Sequence, residues 1–414
     1  MIFQQIKSSY SFRIDQLLLA LPSLILFFSL SVLFIPPVFS SSSVLSKNSY
    51  AGYFKQSYED SRTQFRQQIM KLKQVPNLRV SPSIFASTLA GDLTTDVAWI
   101  QSSKNNRNLK VIISGIHGIE GYVGSALQSW MMENKVVSDS SFDYLFIHAL
   151  NPYGFKNNRR VNENNIDLNR NFVTDQKTFV SKNLAYEQIN NFLNPEIPLE
   201  LGFFSRTKFI FSALQLLMQS SLETLRHAIL LGQYEYPNGI YFGGSTAQYQ
   251  TEIIKNLHQN IMIHYKNVFV VDLHTGYGEK NKLHLLANSQ NQPSAAELIR
   301  IFSKNRIDFG DTKNFYQVSG DLLTFLENKS TALCQIRGIA FEFGTLDSQT
   351  TLGSMESLRR LILENQLFHF QTKDTTAADT AARLFGNLFY PTDPDFKRMV
   401  IEQANIELDK ITTP

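Results

Sequence analysis

The segment Gly115-Ile116-His117-Gly118-Ile119-Glu120 places an imidazole and a carboxylate three residues apart in a glycine-punctuated turn. Both can face one ion. A second imidazole, His274, stands in Asp272-Leu273-His274-Thr275-Gly276. Two histidines and one glutamate form a recognised catalytic zinc set, with a fourth position open for water. An H-x-x-E pair alone arises by chance in many chains, so its weight here comes from where it lies. Other chemistry-bearing residues recur in similar places: Arg159-Arg160, the run Asp167-Leu168-Asn169-Arg170-Asn171-Phe172, and Glu342.

The elements that must position these residues are legible as apolar runs. Leu109–Ser114, Asp143–Ala149, Val268–Leu273 and Ile339–Phe343 are short and rich in β-branched residues, as in strands buried on both faces. Thr94–Gln101 alternates like a further strand, and Tyr53–Gln74 and Gly121–Glu133 read as helices. Strands separated by helical stretches predict an α/β sheet wrapped by helices. Ligands of open α/β sheets bind at the carboxyl ends of strands. That rule collects two histidines, two glutamates and several arginines on one sheet edge. Phe209–Leu231 is apolar but broken by Gln215, Gln219, Glu223 and Arg226, which predicts a core helix. His148, within the second strand, reads as a satisfied core histidine. The series Gly115, Gly118, Gly121, Gly124 does not satisfy a dinucleotide fingerprint and reads as backbone room around a metal.

Composition bounds the remaining classes. The 414 residues are 43% hydrophobic and 18% charged, with 20 Gly and 13 Pro, which excludes a disordered or low-complexity chain. Thirty-nine Lys+Arg against 36 Asp+Glu leave a net charge of +3, far from a dedicated nucleic-acid binder. One cysteine, Cys334, excludes an intrachain disulfide and any multi-cysteine metal site. Leu17–Ile35 carries no charge, with Lys7 and Arg13 before it and Pro36-Pro37 and Ser40 to Ser43 after it. Its length approaches the roughly 20 residues of a spanning helix, and its flanks predict an outward-facing C-terminal side. The division is a polar segment 1–16, a signal anchor or signal peptide 17–35, a Ser-rich linker 36–50, and a catalytic domain 51–414 with a helical insertion at about 173–266. The domain is expected to be exported: anchored through the N-terminal helix, or secreted or periplasmic if that segment is cleaved.

Six segments, SGIHGIEG, NPYGF, RRVNENNIDLNRNF, VVDLHTG, FYQVSGD and FEFGT, resemble in sequence and order the M14 zinc carboxypeptidases, within them the DUF2817-type metallopeptidase branch. The resemblance spans Ser114 to Thr345. It implies a mixed, mostly parallel central sheet flanked by helices, and one Zn2+ held by His117, Glu120 and His274. It also implies that Asp167 holds the first zinc histidine, that Asn169 and Arg170 grip the substrate's terminal carboxylate, and that Tyr316 closes over substrate. Glu342 corresponds to the general base. Arg160 corresponds to the arginine that polarises the scissile carbonyl, with Arg159 as the other candidate. Leu323, seven residues after Tyr316, falls where relatives read the terminal side chain and hints at an apolar preference. The activity implied is zinc-dependent release of C-terminal residues from peptides. A second reading is a zinc deacylase of small N-acyl amino acids, as in the aspartoacylase and succinylglutamate desuccinylase branch. A third is a membrane-anchored binding module without catalysis.

Overall fold

The structure, a computed structural model, describes residues 50–87, 92–102, 105–287, 294–310 and 320–412. The apolar run Leu17–Ile35, most of the linker, and Tyr316 lie outside the described residues. Asn48–Pro414 forms one compact unit.

Eight strands, β1 (Leu78–Ala86), β2 (Thr94–Ser102), β3 (Asn108–Ser114), β4 (Asp143–His148), β5 (Asn267–Gly276), β6 (Leu283–Ala287), β7 (Ile307–Phe309) and β8 (Gln335–Gly344), make one sheet in the order β1-β2-β4-β3-β5-β8-β6-β7. The centre, β4-β3-β5-β8, is parallel, and antiparallel pairs join β1, β2 and β6 to it. The fold is therefore mixed α/β with a mostly parallel sheet. The continuous apolar runs are explained by burial on both faces. Along β3, Leu109, Val111 and Ile113 enter one apolar cluster while Ile112 enters the other. β1 gave no such signal because it is an edge strand, largely exposed, with Pro82 inside it.

The first face is covered by α1 (Tyr58–Leu72), whose Ser57 hydroxyl accepts the Asp60 N–H at 3.0 Å, and by α2 (Gly121–Asn134). All but two of α2's residues are buried, the pattern of a helix enclosed on all sides. The short α3 (Pro152–Lys156) follows β4. The region between the second and third central strands holds α4 (Leu184–Leu193), α5 (Phe203–Gln219), α6 (Leu222–Leu230) and α7 (Tyr249–Asn260). Then come α8 (Ala295–Phe302), α9 (Leu322–Glu327), α10 (Thr351–Phe370), α11 (Thr375–Phe389) and α12 (Pro394–Asp409). α8 and α12 join the first face, and α7 and α9 cover the second. A third cluster ties α4 and α6 to α10 and α11.

One expectation is overturned. Phe209–Leu231 is not a single core helix but parts of α5 and α6, separated at Ser220-Ser221, where the Ser221 hydroxyl accepts the Thr224 N–H at 3.0 Å. Serine is a strong N-cap and starts a new helix there. Ala213 is the one buried residue of α5. Phe209 stacks on Phe192 with centroids 5.2 Å apart, and the opposite side of α5 faces solvent. Among the described residues, no helix is long and apolar enough to cross a membrane.

Candidate metal and active site

The turn after β3 is fixed by its glycines. Gly115 has φ +64°, and a Cβ there would come within 2.8 Å of the Ala149 Cβ. At Gly118 a Cβ would lie 2.0 Å from the Gly154 backbone, so the turn can rest on α3 only without a side chain. Resting there, the Gly118 N–H donates to the Arg160 carbonyl at 3.0 Å and the Ile119 N–H to the Arg159 carbonyl at 2.9 Å. Main-chain bonds thus join the turn bearing His117 and Glu120 to the loop bearing Arg160.

His117, Glu120 and His274 are all buried, and their potential ligand atoms lie within 4.8 Å of one another. Nδ1 of His117 is 2.9 Å from Glu120 Oε1, and Nδ1 of His274 is 2.9 Å from Glu120 Oε2. The Thr275 N–H also donates to Oε2 at 3.1 Å. Each far ring nitrogen meets an aspartate: His117 Nε2 lies 3.1 Å from Asp167 Oδ1, and His274 Nε2 lies 2.8 Å from Asp272 Oδ2. A carboxylate that accepts Nε2–H leaves the Nδ1 lone pair turned inward, the arrangement that orients metal-binding histidines.

The residues fit a divalent cation. Three carboxylates, Glu120, Asp167 and Asp272, touch the two imidazoles, and one guanidinium, Arg160, balances them in part. With both rings neutral, as metal ligands must be, two negative charges remain in this buried place, which a divalent cation would neutralise. Two nitrogens and a carboxylate suit zinc. Burial acts downward on His274, but the Asp272 and Glu120 carboxylates outweigh it and hold its pKa well above the usual imidazole range. Burial acts upward on Asp167, yet the charges of Arg160 and His117 keep it well below the usual carboxylate range.

Glu342 pairs with His274 in the β5–β8 register and accepts the Tyr277 N–H at 2.9 Å. Burial and the neighbouring charge of Glu120 push its pKa up to about 8. A carboxyl perturbed this far, beside a metal-ligand cluster, is a candidate acid–base group.

The two arginine candidates separate. Arg160 donates to Asp167 Oδ2 at 3.2 Å and to Glu120 Oε1 at 3.3 Å, and its Nη2 lies 2.7 Å from His117 Nε2. The ring nitrogen cannot donate to Asp167 and accept from Arg160 at once, so these two contacts are alternatives. Arg159 turns away, to Glu364 at 2.7 Å and Asn165 at 3.1 Å, under the Phe368 ring. Asn169 spends its side-chain oxygen on the Leu322 N–H at 3.1 Å. Arg170 donates to the Asn169 and Leu230 carbonyls, at 2.9 and 2.5 Å, while its buried Nε has no partner among the described residues.

His117, Glu120, His274, Glu342, Arg160, Asn169 and Arg170 line one cleft of about 240 Å3. Leu286, Ala287, Leu323 and Ala340 give it an apolar wall, and α6 contributes Arg226, Ile229 and Leu230. Three residues lay beyond the sequence reading. Asp272 was within reach, since two-residue spacing on a strand puts it on the face of His274. Tyr241, whose ring lies 5.3 Å from the Arg160 guanidinium and 5.6 Å from that of Arg170, comes from the helical region with no motif. Arg226, bonded to the Ser354 hydroxyl and the Ser348 carbonyl, is equally unmarked. His148 is fully buried, stacked on Phe65 and 2.9 Å from the Ser125 hydroxyl.

Comparison with solved structures finds partial likenesses. Carboxypeptidase A from Helicoverpa armigera is 12% identical, with 83% of this chain and 77% of that chain covered and a TM-score of 0.44. Bovine thrombin-activatable fibrinolysis inhibitor is 11% identical, with 80% and 99% covered and a TM-score of 0.43. A succinylglutamate desuccinylase from a Silicibacter species is 12% identical, with 72% and 69% covered and a TM-score of 0.34. No curated protein sequence matches the chain. The family model described as "Protein of unknown function (DUF2817)" matches residues 54–403, so the chain belongs to the DUF2817 family.

Proposed function

We propose that this protein is a zinc-dependent metallocarboxypeptidase that hydrolyses the C-terminal amide bond of peptides. The observation that carries the reading is the pair of buried imidazoles whose Nδ1 atoms converge on Glu120 while Asp167 and Asp272 hold their far nitrogens, with Glu342 across the strand pair. Zinc held by His117, Glu120 and His274 would supply Lewis acidity, which brings the pKa of water toward about 7.

The chain's own residues do the rest. Glu342 takes a proton from the attacking water and returns it to the leaving amine, a task suited to a carboxyl raised toward neutrality. Arg160, already bonded to Asp167 and Glu120, presents positive charge where the carbonyl oxygen becomes negative. Arg170 lines the cleft and brings a guanidinium charge to a substrate carboxylate, and Asn169 anchors the α9 start beside it. Tyr316 is assigned its closing role by the resemblance alone. The apolar wall with Leu323 favours an apolar terminal side chain.

The limited volume of the cleft also admits a small N-acyl amino acid, and a panel of substrates separates the two readings. Purified chain is assayed with zinc and after chelation against N-blocked dipeptides and N-acyl amino acids, beside Glu342→Gln. Release from dipeptides, lost on chelation and in the variant, is the expected result. Release from N-acyl amino acids alone transfers the protein to the deacylase reading. Silence across the panel from a zinc-loaded chain removes both and leaves a binding module.

A further inference from the structure

The side of α5 that no element among the described residues covers is strongly apolar. Phe204, Phe211 and Met218 recur every seven residues and are 86%, 63% and 73% exposed, with Leu214 and Phe203 beside them. At 3.6 residues per turn these side chains form one stripe. The helix carries two cations, Arg206 and Lys208, and no acidic residue. Both are exposed, and neither forms an ion pair among the described residues. A helix with phenylalanine and leucine on one face and unpaired cations beside them has the make-up of an interfacial helix, which sinks its apolar side about 5–10 Å into a bilayer surface.

A second copy of the chain is a poorer occupant. The stripe covers little more than two heptads, short of the three or four that sustain a coiled coil. Two such helices would bring cations together with no carboxylate of their own to answer them. The rest of the sequence points to lipid. Leu17–Ile35 is an uncharged run of near-spanning length, and Pro36 to Ser49 separate it from the domain. Fourteen residues reach at most about 50 Å, so an anchored chain holds α5 at high effective concentration near a membrane.

We infer that α5 is a membrane-seating helix: its Phe204–Phe211–Met218 stripe enters the surface of an anionic phospholipid bilayer, with Arg206 and Lys208 on lipid phosphates. Because α6 follows directly and lines the cleft, this seating fixes the cleft's height and tilt above the bilayer. It concerns a surface outside the catalytic cluster and stands whichever substrate the cleft takes.

The test uses the full chain in a Cys334→Ser background, reconstituted into phosphatidylcholine vesicles with or without phosphatidylglycerol. Phe204→Cys, Phe211→Cys and Met218→Cys each carry an environment-sensitive fluorophore, and Lys71→Cys on α1 is the reference. Expected are blue-shifted emission at the three stripe positions and severalfold quenching by nitroxide-bearing lipids, stronger with phosphatidylglycerol. Lys71 stays unquenched, and Lys208→Glu lowers the quenching at position 211. These labels read lipid contact whether or not Leu17–Ile35 spans the bilayer. Quenching no greater than at Lys71 overturns the inference. So does a blue shift without lipid quenching, which would put α5 against a second copy, and so does quenching indifferent to phosphatidylglycerol.

Discussion

Asp272 and Asp167 each meet the far nitrogen of one imidazole, and the first of them makes the sharper test. Asp272→Asn keeps the shape and loses the charge that holds His274. Zinc affinity is expected to fall about 10- to 100-fold, read by competition with a chromophoric chelator. Unchanged affinity would remove Asp272 from the site. Glu342→Gln should behave in the opposite manner: zinc uptake is retained while turnover falls about 10²- to 10⁴-fold. His148 carries a stability prediction. Burial depresses its pKa to about 4, below the roughly 6.5 of an unfolded chain. Above pH 6.5 both states are neutral and the contribution is fully present. As pH falls through 6.5 the unfolded chain gains the proton first, and stability drops by about 3 kcal/mol by pH 4. Urea unfolding at several pH values, beside His148→Gln, should show the slope flattening in the variant.

At the scale of elements, what was legible depended on burial. β3, β4, β5 and β8 announced themselves because both faces are packed, and the residues just past them were correctly gathered at one edge. The edge strand β1 and the three-residue β7 carry no such imprint. α5 misled because apolar content stands for core only when something covers it. Between Arg159 and Arg160 the sequence favoured Arg160 only through the resemblance, since a turn sends adjacent side chains in different directions and the loop's bonds to Gly118 and Ile119 decide which. Tyr241 reaches the site from a left-handed backbone position, φ 56°, and no spacing rule leads there. The turn itself is testable. Gly118→Ala must displace the α3 backbone, with an expected cost of about 1–3 kcal/mol in urea unfolding and weaker zinc binding in the same sample. A variant with unaltered stability would show that the turn does not need its close approach to α3.

For the molecule as a whole, we propose that the helices between β4 and β5 restrict what reaches the cleft, because α6 places Arg226, Ile229 and Leu230 on its wall. If the proposed peptidase activity holds, purified protein should trim long unfolded chains more slowly than blocked dipeptides, and equal rates would refute the restriction. The pairing of His274 with Glu342 across β5 and β8 has a consequence of another kind. Side chains alternate between faces, so a one-residue slip of β8 would point Glu342 away from the cleft. Val and Ile residues fill both faces of the central sheet, and a slipped chain would still find apolar surroundings on either side. On the proposed activity, catalysis would then be a proofreader of strand alignment. In refolded material, far-ultraviolet dichroism reports that strands and helices have formed, while turnover per bound zinc reports the fraction of chains in which β8 lies in its proper place.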